Sequence, residues 1–153
     1  MKAEKARPGE GGGMIWPVPE MGPQELLARA REIASRAYVP YSHFHVGAAM
    51  LFEGGEVLTA CNVENASYGL SICAERAAAA AMVARGKGKP LAIAVAGSGD
   101  GRFDTPCPPC GACRQVLMEF NPEMLVVLAS PEGPMIFGMR EMLPHSFTLE
   151  RER

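Results

Sequence analysis

In four segments of this chain, apolar side chains recur with the period of an α-helix. From Pro23 they return every three or four positions on one face, until Pro40 ends the pattern; the members of this face are Leu26, Leu27, Ala30, Ile33, Ala34 and Ala37. The alanine-rich run 73–84 closes at Gly86, and the run 112–120 stops at Asn121. A short fourth helix is predicted over 140–143.

Strands are predicted between these helices. Segments 45–52 and 57–63 flank Glu53-Gly54-Gly55-Glu56, which is a hairpin signal. Segments 91–96 and 124–129 are continuous apolar runs, typical of strands buried on both faces. A turn then leads to a last strand over 135–139. The order α-β-β-α-β-α-β-β-α predicts an α/β fold with a mixed sheet covered by helices.

The length of 153 residues fits a single domain, for which we expect residues 23–150. Residues 1–22 are predicted to be a flexible N-terminal extension, because they combine several glycines with Pro17 and Pro19. Trp16, the sole tryptophan, either docks this extension onto the domain or is exposed.

Charge and hydropathy exclude several classes of protein. Fifteen basic and seventeen acidic residues give a net charge of −2, which argues against nucleic acid as a partner. No run approaches the roughly 18 apolar residues of a membrane span, so no membrane partner is expected. The first residues lack the apolar segment of a secretory signal, and we therefore expect a cytoplasmic protein, in which disulfides are rare.

Three of the five cysteines lie between positions 107 and 113, which favours a metal or catalysis over a disulfide framework. Cys110 and Cys113 face the same side of a helix start, and Cys73 opens the preceding helix. Three thiolates on zinc would leave a fourth tetrahedral position for water, as in catalytic sites. Glu75 would then serve as general acid and base. Arg76 and Arg114 are predicted to donate to the sulfurs.

Five motifs in order resemble the homotetrameric zinc-dependent cytidine deaminases of pyrimidine salvage: Tyr41-Ser-His-Phe-His-Val-Gly-Ala-Ala49, Cys61-Asn-Val-Glu-Asn-Ala66, Ser71-Ile-Cys-Ala-Glu-Arg76, Pro109-Cys-Gly-Ala-Cys-Arg-Gln115 and Leu143-Pro-His-Ser-Phe147. The similarity runs from about residue 23 to residue 147. It implies a three-layer α/β/α fold with a mixed five-stranded sheet. It also implies one zinc per chain, held by Cys73, Cys110 and Cys113, with Glu75 moving protons and Arg76 supporting the ligands.

The same resemblance implies a pyrimidine nucleoside as the substrate. Cytidine and 2′-deoxycytidine would be converted to the uridines and ammonia, with Asn62 and Glu64 binding the sugar. Phe44 would pack against the nucleoside, while the Ala74 backbone and Glu75 would read the polar edge of the ring. In the family a neighbouring subunit completes the pocket, which implies a homo-oligomer, expected to be a tetramer; the matching positions are Ala66, Tyr68 and Phe147.

Cys107 departs from the family pattern and leaves alternatives open. It creates Cys-x-x-Cys-x-x-Cys, which resembles part of an iron–sulfur ligand run. A structural zinc with four cysteines is a second alternative. An iron–sulfur cluster would give no role to Glu75, Asn62 or Glu64. Two further alternatives keep the zinc: a deaminase of another aminopyrimidine, such as blasticidin S, and a non-catalytic zinc module.

Overall fold

A computed structural model describes residues 14–151 of the chain. The described part contains four α-helices and five β-strands. In chain order these are α1 (Pro23–Ala34), β1 (His45–Leu51), β2 (Val57–Cys61), α2 (Ala74–Ala84), β3 (Ala92–Ser98), α3 (Gly111–Phe120), β4 (Leu125–Leu128), β5 (Met135–Gly138) and α4 (Met139–Met142). The predicted order of elements is therefore confirmed.

The five strands form one mixed sheet in the order β2-β1-β3-β4-β5. β1 runs antiparallel to both β2 and β3, β3 runs parallel to β4, and β4 runs antiparallel to β5. A parallel pair needs a crossover connection, and α3 supplies it between β3 and β4. A loop leads from the carboxyl end of β3 to the start of α3.

Helices cover both faces of this sheet. Successive residues of a strand point to opposite sides, so each strand contributes side chains to both apolar clusters. Ala49 and Leu51 of β1 belong to the apolar cluster that contains the buried face of α1. Ala48 and Met50 belong to the opposite cluster, which contains apolar residues of α2, α3 and α4. The α/β/α layering is therefore confirmed, with α1 on one side of the sheet and α2 and α3 together on the other.

Gly47 lets α1 approach β1 closely. A Cβ atom at this position would lie 1.9 Å from the carbonyl oxygen of Ala30 and 2.8 Å from the amide nitrogen of Ala34. Both neighbours are backbone atoms of a helix, which cannot move aside as a side chain can. Only glycine fits this contact.

The structure differs from the predicted flexible extension at residues 14–22. Trp16, Val18 and Met21 are buried in the cluster on the α1 side of the sheet. The indole Nε1 of Trp16 donates to the carbonyl oxygen of Met21 at 2.7 Å. The prolines prevent regular structure here, but apolar burial still fixes the segment. Residues 1–13 of the predicted extension lie outside the described residues.

α1 and β2 both end earlier than the sequence pattern predicts. α1 ends at Ala34, where the amide of Ser35 and those of the next two residues bond to carbonyls three positions back. β2 ends at Cys61, because the side chain of Asn62 pairs with the backbone of β1. Within residues 14–151, no helix is both long enough and apolar enough to cross a membrane.

Candidate active site

Two helix starts bring three cysteines together. Cys73 is the residue before α2, Cys110 is the residue before α3, and Cys113 lies in the first turn of α3. Because α2 packs against α3, the three Sγ atoms lie within 4.8 Å of one another. The Sγ atoms of Cys73 and Cys110 are 3.9 Å apart. The described residues include no other such cluster of metal-ligating side chains.

This donor set fits zinc. In a tetrahedral site with Zn–S bonds of about 2.3 Å, two sulfurs are about 3.8 Å apart. The separation of 3.9 Å between Cys73 and Cys110 matches this value. The positive ends of two helices also favour thiolate over thiol at these positions. Cys107 does not belong to the cluster.

The environments of the three clustered thiols differ. Desolvation opposes ionisation of Cys110, but hydrogen bonds from the Cys113 amide and from neighbouring thiols outweigh it and lower the pKa of Cys110. Burial, followed by the charge of Glu75, raises the pKa of Cys113. A cation bound between the sulfurs would offset the charge that they and Glu75 bring together.

Glu75 is a buried carboxylate next to the cysteine cluster. Its side chain comes from the first turn of α2, the residue is 4% exposed, and Oε2 lies 3.8 Å from Cys113 Sγ. Burial raises the pKa of Glu75, although its hydrogen bonds and the charge of Arg76 oppose this effect. A carboxyl group in this setting takes up and releases a proton more readily near neutral pH than an exposed one.

The two predicted arginines do different things. Nη2 of Arg76 lies 3.9 Å from Cys73 Sγ and 3.4 Å from the carbonyl oxygen of Ser71. Arg114 instead donates from Nε to the carbonyl oxygen of Pro109 and from Nη1 to that of Met142, each at 2.8 Å. The prediction that Arg114 donates to a sulfur is therefore wrong, because two backbone carbonyls take its guanidinium. Arg114 ties the loop before α3 to α4.

Asn62 and Glu64 hold the loop that carries Phe44. Asn62 Oδ1 accepts from the amide of Val46 at 2.9 Å, and Nδ2 donates to the carbonyl oxygen of Phe44 at 3.0 Å. Glu64 Oε1 accepts from the amides of Tyr41 and Ser42, each at 3.1 Å. The family resemblance implies only a sugar-binding role for these two side chains, and the loop-holding role is an additional one that the sequence did not reveal.

Hydrogen bonds from the loop also lower the pKa of Glu64. Desolvation raises the pKa of its carboxyl, but the hydrogen bonds from Ser42 and Tyr41 outweigh it, so that the net shift is downward. The side chain is therefore a carboxylate at neutral pH and accepts hydrogen bonds only.

The remaining residues that are predicted to contact the substrate differ in how far they are exposed to solvent. Ala74 is buried at the start of α2, whereas Ala66 is exposed. The aromatic side chains Phe44, Tyr68 and Phe147 are 42%, 76% and 70% exposed. The Phe147 carbonyl oxygen accepts from Gln115 Nε2 at 2.8 Å, so the C-terminal segment is held against α3.

Comparison with known proteins gives a consistent result. Residues 22–129 match the family described as the cytidine and deoxycytidylate deaminase zinc-binding region. The cytidine deaminase of Halalkalibacterium halodurans is 44% identical over 134 residues, which cover 85% of this chain and 97% of that protein. The cytidine deaminase of Mycobacterium tuberculosis strain H37Rv is 44% identical over 139 residues, which cover 89% of this chain and 99% of that protein.

A solved structure shows the same fold. The cytidine deaminase of Burkholderia pseudomallei superposes with a TM-score of 0.75 at 41% identity, covering 83% of this chain and 100% of that chain. The family match spans most of the described residues and includes all three clustered cysteines. The chain therefore belongs to the cytidine and deoxycytidylate deaminase family.

Proposed function

We propose that this chain catalyses the hydrolytic deamination of cytidine and 2′-deoxycytidine in pyrimidine salvage. The products are uridine or 2′-deoxyuridine and ammonia. The observation that carries the proposal is the buried carboxylate of Glu75, 3.8 Å from one of three clustered cysteine sulfurs. The reaction is supported by relatives that are cytidine deaminases and that align with this chain over nearly their whole length.

We assign one Zn²⁺ per chain to Cys73, Cys110 and Cys113. When bound, zinc supplies the Lewis acidity that makes water nucleophilic at neutral pH. Arg76, whose Nη2 lies 3.9 Å from Cys73 Sγ, offsets part of the negative charge of the three thiolates. A catalytic role for the cluster is favoured over a purely structural one, since Glu75 is buried beside it.

Glu75 moves two protons in this mechanism. It takes one from the water that attacks C4 of the ring and delivers it to N3. It takes a second from the hydroxyl group formed at C4 and delivers it to the amino group, which leaves as ammonia. The upward shift of its pKa suits both directions of transfer, because the group must bind and release a proton in each cycle.

The nucleoside is bound by groups on three segments. Glu64 Oε2 is the acceptor that we assign to a sugar hydroxyl, because Oε1 already receives two backbone amides. Asn62 Nδ2 carries two hydrogens and donates one to Phe44, so the second is assigned to the sugar. The ring of Phe44 packs on the nucleoside, and the Ala74 backbone, together with Glu75, reads the polar edge of the pyrimidine.

A homotetramer is proposed as the active form. The exposure of Tyr68 and Phe147 supports it, because an interface with a second subunit would bury these two large aromatic side chains. These two residues and Ala66 would complete the pocket of a neighbouring subunit. Light scattering on the purified protein tests the assembly, and a monomer with full activity would contradict it.

The proposed catalytic domain is residues 23–150, together with the packed segment 14–22. Five free cysteines support a reducing compartment such as the cytoplasm. The net charge of −2 supports a free nucleoside rather than a polynucleotide as substrate.

A substrate panel tests the proposed reaction. Cytidine, 2′-deoxycytidine, cytosine and blasticidin S are each followed by ultraviolet absorbance, with and without a zinc chelator. We expect fast turnover of the two nucleosides and little turnover of the free base or of blasticidin S. We also expect the chelator to abolish activity. Faster turnover of blasticidin S than of cytidine would overturn the assignment of substrate.

A further inference from the structure

We propose that Ser42 is a positioning residue that links the sugar-binding carboxylate of Glu64 to the aromatic side chain of Phe44. The inference rests on the proposed function, in which Glu64 meets the sugar and Phe44 packs on the nucleoside. Ser42 acts through these two residues and through no contact of its own with substrate.

Ser42 makes a hydrogen bond to each of the two residues. Its main-chain amide donates to Glu64 Oε1 at 3.1 Å, beside the bond from Tyr41 to the same oxygen. Its hydroxyl Oγ accepts from the amide of Phe44 at 3.0 Å. One residue therefore connects the carboxylate of Glu64 to the backbone that carries the aromatic ring.

The turn at this point adopts an uncommon conformation that needs support. His43, between Ser42 and Phe44, has φ of 56°, in the left-handed region that few residues other than glycine adopt. Its amide donates to the carbonyl oxygen of Val39 at 3.0 Å. A serine hydroxyl that bonds to a backbone amide two residues on is a recognised way to stabilise such a turn.

Phe44 is held on both sides of its Cα atom. The Ser42 hydroxyl accepts from its amide, and Asn62 Nδ2 donates to its carbonyl oxygen at 3.0 Å. Glu64 holds Ser42 in turn. The sugar-binding pair and the aromatic residue are consequently fixed relative to each other through backbone hydrogen bonds.

The ring of Phe44 rests on two glycines of the strand β3 and the loop after it. A Cβ atom on Gly97 would lie 2.9 Å from Phe44 Cε1, and one on Gly99 would lie 3.5 Å from Phe44 Cδ2. The two glycines contribute no side chain that could hold a ring that is 42% exposed. The position of the ring therefore depends on the backbone of Phe44, which Ser42 helps to fix.

Three variants test the proposal through steady-state kinetics on cytidine. Ser42→Ala removes the hydroxyl, Ser42→Thr keeps it, and Ser35→Ala removes an exposed serine hydroxyl that donates to Glu32 at the end of α1. Loss of one neutral hydrogen bond predicts a KM about threefold to tenfold higher for Ser42→Ala, with kcat within about twofold of the wild type. Ser42→Thr and Ser35→Ala should keep the KM of the wild type.

Hydrogen exchange on the free protein gives a readout that does not depend on turnover. Mass spectrometry of a peptide spanning residues 38–46 should show faster amide exchange in Ser42→Ala than in the wild type or in Ser42→Thr. The faster exchange is expected because the Phe44 amide loses its acceptor.

The two measurements separate failure of this inference from failure of the proposed function. An active Ser42→Ala enzyme with wild-type KM and wild-type exchange overturns the inference and leaves the function intact. A fall in kcat at unchanged KM, or a Ser42→Thr enzyme as impaired as Ser42→Ala, also overturns it. A wild-type protein that does not deaminate cytidine overturns the proposed function, and the exchange comparison then still decides whether Ser42 fixes the turn.

Discussion

Single residues near the site show how position sets thiol chemistry. Cys107 and Cys110 are three residues apart and differ sharply. Cys110 is exposed at the start of α3, and the Cys113 amide and neighbouring thiols lower its pKa. Cys107 is half-buried against Gly97, and burial, together with the charges of Glu75 and Cys73, raises its pKa to about 11. We therefore interpret Cys107 as a neutral packing residue and not as a fourth ligand.

Alkylation of the zinc-free protein tests this difference. At pH 8 a thiol of pKa about 11 is about one thousandth thiolate, and only the thiolate reacts. Iodoacetamide should modify Cys110 first and Cys107 much later, and raising the pH towards 11 should accelerate Cys107. Peptide mass spectrometry follows both sites. Equal rates at pH 8 would contradict the assigned environments.

Gly97 offers a residue-scale test of the Phe44 pocket. A Cβ atom there would lie 2.5 Å from Cys107 Sγ and 2.9 Å from Phe44 Cε1. Gly97→Ala must displace one of these groups, so we expect KM for cytidine to rise about tenfold or more, by analogy with the cost of overpacking. Gly88→Ala is the matched control, since a Cβ atom there meets nothing within 4 Å. An unchanged KM in Gly97→Ala would contradict the expectation that the new methyl group disturbs the substrate-contacting ring of Phe44.

The sequence predicts some site residues better than others, for physical reasons. Cys73, Cys110 and Cys113 could be placed together because all three lie at predicted helix starts. The loop-holding role of Asn62 depends on which strand lies beside it, which no local pattern reveals. Arg114 was mispredicted because its guanidinium bonds to two backbone carbonyls, that of Pro109 in the loop before α3 and that of Met142 in α4, and residue type and spacing do not reveal such a bridge.

At the scale of elements, the contact between α1 and β1 is the closest approach of a helix backbone to the sheet that a glycine permits. It is made where Gly47 meets the backbone of α1 at Ala30. Gly47→Ala cannot be relieved by a side-chain rotation, because the obstructing atom is a carbonyl oxygen. We expect a loss of about 3 kcal/mol or more in the free energy of unfolding, the upper range for overpacked cores. Urea unfolding compared with Gly88→Ala measures it, and equal stability would contradict the close packing.

Periodic elements were predicted well, and their ends less well. The apolar face of α1 and the buried runs of β3 and β4 are local signals, and they identify the elements correctly. The structure confirms the docked alternative for Trp16; the proline-rich surroundings could not decide between docking and exposure, because the choice depends on the cluster that α1 and the sheet form together. The early end of β2 likewise depends on the pairing of Asn62 with β1.

At the scale of the whole molecule, one face of the sheet carries an apolar cluster and the other carries the candidate active site. On one face, α1 and the segment before it close an apolar cluster. On the other face, α2 and α3 pack side by side, so that their starts bring three sulfurs and one carboxylate to one place. The division explains why substitutions at Gly47 and at Gly97 are expected to affect different properties, stability in the first case and substrate binding in the second.

The most direct test of the account compares the wild type with Glu75→Gln, measuring cytidine deamination and metal content on the same samples. We predict about one zinc per chain in both proteins, because Glu75 is not a ligand. We also predict a loss of about 100-fold or more in kcat for the variant, the usual contribution of a general acid and base. A zinc-loaded Glu75→Gln enzyme with wild-type turnover, or an active wild type that holds iron or no metal, would contradict the account.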